Sequence, residues 1–93
     1  MSNPERLEKI GLLEELKHKA ITLSVEIHAL REQINRDMDR SRPLSEIKLR
    51  ESAEQMALFQ TKLRDHRAMC DHIKELAEDL NVPMPTTDVR RKR

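Results

Sequence analysis

Tryptophan and tyrosine are absent from these 93 residues and phenylalanine occurs once, which excludes the thick aromatic core of a typical globular domain. Cysteine also occurs once, so no disulfide can form within the chain. A single glycine rules out a glycine-rich phosphate loop. No apolar run approaches the roughly 18 residues that a membrane span needs. The opening MSNPERLEKI is charged and lacks a signal-peptide core. These absences point to a reducing, cytoplasmic setting.

What is present is charge, 38% of the residues, together with Leu, Ile, Ala and Met. These are the strong helix formers, and helices without a sheet are expected. The formal charge of +1 hides an asymmetry. The last six residues carry four of the 18 basic residues and one of the 17 acidic ones. That leaves 14 basic against 16 acidic residues before them, a mildly acidic body with a basic tail.

Ser2 followed by Glu5 matches a capping box, and Pro4 suits a first helical turn. From there Leu13, Leu16, Ala20, Leu23, Ile27, Leu30 and Ile34 recur in alternating steps of three and four. That is a heptad pattern with 13, 20, 27 and 34 at a and 16, 23 and 30 at d. The stretch RDMDRSRP breaks it, and Pro43 disfavours helical geometry at Arg42. A second frame then places Leu49, Met56, Leu63, Cys70 and Ala77 at a, with Ser52, Phe59, His66, Ile73 and Leu80 at d. Asn81 should end it, because VPMP cannot continue a helix.

The fold expected is therefore all-α: an antiparallel, coiled-coil-like two-helix hairpin over residues 1–82, able to pair into a four-helix bundle. Helix one should span about 4–40, the turn about 40–43 and helix two about 43–81, with a flexible basic tail over 83–93. Opposed residues should sum to 79 or 86, and 86 is preferred: it pairs Leu13 with Ile73 and Leu23 with Leu63, whereas 79 would leave Ile73 and Leu80 beyond the end of helix one.

Four features bear on function. In DHRAMCDH, His66 and Cys70 stand four apart on one helix face, a spacing at which two side chains can share a zinc ion. Two ligands are half of a structural site, so no metal or other cofactor is expected unless a symmetric dimer joins two such pairs. Catalysis is not expected either, since Cys70 should face a helix seam with no cleft around it. The tail residues Arg90, Arg91, Lys92 and Arg93 could touch phosphates in a salt-sensitive, sequence-blind way, which gives a nucleic-acid accessory role as the alternative. Finally, Ile21 and Val25 on helix one and Met69 and Leu76 on helix two exceed what a two-residue seam needs. A lone hairpin buries little, so these four are the expected partner interface of a non-enzymatic protein-protein interaction module, toward a second copy or another protein.

Overall fold

The computed structural model describes residues 3–89. Two long helices, α1 (Pro4–Asp37) and α2 (Leu49–Leu80), form an antiparallel hairpin, and no strand occurs among the described residues. Asn3 caps α1, its side chain accepting the Glu5 amide at 3.0 Å with Pro4 in the first turn. The cap is thus one residue later than the capping box expected on Ser2, which lies outside the described residues.

The connection is longer than expected, running from residue 38 to 48. The Asp39 carboxylate accepts both the amide and the hydroxyl of Ser41, at 2.8 and 2.7 Å, and the Asp39 carbonyl accepts the Arg42 amide. Those bonds hold a tight local turn in place of the last helical turn expected for helix one. The same Ser41 amide and hydroxyl hold the Asp39 carboxyl below the usual carboxylate range. Pro43 has ψ 145°, so instead of starting α2 it leads into one 3-10 turn, Leu44–Glu46. The second helix begins only at Leu49, after Lys48, which offers no side-chain cap.

At its other end α2 stops where the sequence says it should. Asn81 adopts φ 56°, the left-handed conformation that asparagine tolerates. Its amide bonds to the Glu78 carbonyl, and the Val82 amide to that of Ala77, which is a complete Schellman motif. The guanidinium of Arg6 satisfies the Leu80 carbonyl at 3.1 Å, tying the start of α1 to the end of α2.

The long-range pairs confirm antiparallel packing near the expected register. Lys9 meets Asp79 and Glu26 meets Lys62, each pair summing to 88, while Arg6 and Leu80 sum to 86. Leu13, Ala20, Ile73, Leu76 and Leu80 make the core, with Leu16 and Met69 packed against it. That core sits at the end of the hairpin remote from the turn.

Helix two departs from its heptad frame in a graded way. Along its a positions Ala77 is buried, Cys70 and Leu63 are half-buried, and Met56 and Leu49 are exposed. A straight helix of 3.6 residues per turn drifts about 20° per heptad from a 3.5-residue stripe, so four heptads carry the stripe out of the seam. The same drift turns the g position Gln55 inward, where its Oε1 is buried without a hydrogen-bond partner. No residue of α2 before Ile73 is buried. On α1 the a residues Leu13, Ala20, Ile27 and Ile34 stay buried, whereas the d residues Leu16, Leu23 and Leu30 sit half-buried on a flank.

Candidate interaction site

The two flanks of the seam differ, and the C-terminal segment makes the difference. Beyond Asn81 the chain turns back along the hairpin rather than leaving it as the mobile tail expected from its lack of periodicity. Three hydrogen bonds fix it. His66 Nε2 meets the Thr87 carbonyl at 2.8 Å, His28 Nε2 meets the Asp88 carboxylate at 2.7 Å, and the Val89 amide donates to Ser24 Oγ at 3.1 Å. This strap touches both helices, which places it over the groove between them.

The acceptors determine what each side chain does. A carbonyl can only accept, so Nε2 of His66 donates to Thr87, and the other ring nitrogen, Nδ1, stands 3.6 Å from Cys70 Sγ. A carboxylate likewise makes His28 Nε2 the donor, and leaves His28 Nδ1 buried without a partner. Ser24 Oγ donates back to the Ile21 carbonyl at 2.7 Å and so presents its lone pairs to Val89. Serine at this e position is buried because the strap covers it. His66 and Cys70, the zinc-spaced pair, are thus bonded to each other, and no group of three or more His, Cys, Asp or Glu among the described residues is placed to hold a metal.

The four residues expected to form one outer interface fall in three places. Leu76 is only 6% exposed, in the core cluster, because it follows Ile73 by one turn at the best-packed end of the hairpin. It is closed to a partner. Met69 is half-buried on the open flank, where it lines a shallow depression of about 410 Å³ with Leu23, Thr22, Lys19, Glu26 and Asp65 among its neighbours. Ile21 and Val25 share the stripe of Ser24 and His28, so they lie on the strap side of α1, Ile21 half-buried and Val25 exposed. Arg90, Arg91, Lys92 and Arg93 lie outside the described residues.

A further set of exposed apolar side chains, outside the four expected, lies at the turn. Met38, Leu44, Leu49 and Met56 are exposed there, Leu49 and Met56 on one stripe of α2, while Leu58, also exposed, lies on the opposite face of the helix. The signal was present in the heptad drift, which takes Met56 and Leu49 out of the seam to which the strict frame assigned them.

No helix among the described residues is long and apolar enough to cross a membrane. Comparison with known proteins gives no match: no family model, no curated protein and no solved structure aligns significantly with the chain.

Proposed function

We propose that the protein is a non-enzymatic interaction module whose turn half is completed by the helices of a second copy. The observation that carries this reading is the exposed apolar face of α2 at the turn, where Leu49 is 80% exposed on the same stripe as the exposed Met56, with Leu44 86% exposed in the connection that precedes it. The hairpin is 67 Å long with a radius of gyration of 18.0 Å, against about 12 Å for a compact chain of this length. Its accessible surface is 7629 Å², against about 5,600 Å² for a compact monomer of the same mass. The excess is about 2,000 Å² per chain, or about 4,000 Å² over two copies, which is in the range of obligate homodimer interfaces. Pairing two turn halves would cover part of it with helical surface.

Native mass spectrometry of the untagged protein across a concentration range tests this. The expected result is a metal-free dimer that Leu44→Ser with Leu49→Ser converts to a monomer, circular dichroism showing unchanged helicity because both side chains are already in water. A wild-type protein that stays monomeric into the hundreds of micromolar range would remove self-association from the reading.

A further inference from the structure

We propose that the groove lined by Ser24, His28 and His66 is a binding site for an extended, acidic segment of another protein, and that residues 85–89 of this chain occupy it as a built-in competitor. The proposal stands apart from the turn-end surface and uses different residues.

Two of the strap's three anchors go to backbone, the Thr87 carbonyl and the Val89 amide, which any extended segment offers at the same spacing. The third reads a side chain, and what it reads is a carboxylate. Apolar burial adds little, since Val82, Met84 and Val89 are all exposed. The groove therefore selects an extended backbone with an acid between the two anchor points, and tolerates change elsewhere.

Charge then decides which segment fits best. Arg31 follows Ser24 by two helical turns on the same stripe of α1 and is half-buried. On α2, Gln60, Leu63, Arg64 and Arg67 line a depression of about 220 Å³, and Leu63 shares the stripe of Cys70 and His66. This flank is basic. The chain's own segment supplies a single carboxylate, Asp88, against Arg31, Arg64 and Arg67. It is a poor match that remains in place because it is tethered. A short tether gives an effective concentration on the order of millimolar, which an acidic segment from elsewhere has to overcome.

The test uses the full chain. Asp88→Ala with Val89→Pro opens the strap, removing the carboxylate and the donor to Ser24 while leaving both helices intact. Two labelled, C-terminally amidated peptides are titrated by fluorescence anisotropy: Val-Pro-Met-Pro-Thr-Thr-Asp-Val, and the same peptide with both threonines replaced by glutamate. The acidic peptide should bind the open variant on the order of ten-fold more tightly than wild type, the margin set by the tether. It should also bind more tightly than the parent peptide. Adding His28→Ala or Arg67→Ala to the open variant should weaken it.

Binding that is indifferent to His28, or equal for a scrambled peptide of the same charge, would overturn the proposal. So would tighter binding of an oligonucleotide of matching charge, which would make the flank a phosphate surface. If the double variant loses helicity, Asp88→Ala alone serves, and no gain in acidic-peptide affinity over wild type there would overturn it.

Discussion

Ile73 should carry more of the fold than any residue of the turn half. It is fully buried within the cluster of Leu13, Ala20, Leu76 and Leu80. Ile73→Ala removes three carbons, about 2.4 kcal/mol at about 0.8 per buried methylene, and the cavity left behind raises the cost to about 3–4 kcal/mol. A small single core supplies about 3–5 kcal/mol in total, so that variant should be left marginal, at about −1 to +2 kcal/mol, and partly unfolded before any urea is added. Ile73→Val is the graded version, at about 1 kcal/mol. Leu49→Ala also removes three carbons, but the side chain is 80% exposed, so about a fifth of the transfer term remains, about 0.5 kcal/mol. Urea titration followed at 222 nm should show the order Ile73→Ala, Ile73→Val, Leu49→Ala. It has to be done where the protein is monomeric, because an interface through Leu49 would add a concentration-dependent term. Equal costs for Leu49→Ala and Ile73→Ala in the monomer would refute the placement of the core at the end away from the turn.

Gly11 lies within α1 with nothing within 4 Å of the Cβ an alanine would add. Gly11→Ala should therefore stabilise by about 1 kcal/mol, raising the melting temperature by about 4–8 °C. Asn81 closes α2 at φ 56°, so Asn81→Val should cost about 1–2 kcal/mol through its β-branch in the left-handed region. Asn81→Gly should be close to neutral in the same melts.

Much of this architecture was legible in the sequence because it depends on local rules. The apolar repeat from Leu13 to Ile34, the break before Pro43 and the stop at Asn81 each follow from one element's own chemistry. The strap was not legible for the same reason. Its anchors are Ser24, His28 and His66, three polar residues far from it in sequence, and nothing in PMPTTDV has a period. Irregular segments are held by specific hydrogen bonds that composition does not encode. Leu76 was misplaced because a strict heptad treats g as peripheral, whereas packing at the tight end of the hairpin takes in three neighbouring stripes.

The exposed a positions of α2 link this mismatch to the proposed function. A strict seven-residue repeat keeps its apolar stripe in a seam only if the helices coil around each other. Along α1 the repeat and the seam agree, and Leu13, Ala20, Ile27 and Ile34 are all buried. Along α2 they part company toward the turn, so that Gln55 and Ser52 lie toward the hairpin and Met56 and Leu49 face outward. Within a lone hairpin those outward residues lose burial and the inward Gln55 carries an unpaired polar atom, two costs with no return. A second pair of helices on that side would bury Met56 and Leu49 and supply coiling contacts the hairpin lacks. On this argument the a-position residues of the turn half are suited to an intermolecular seam, and the drift marks where the intramolecular one ends.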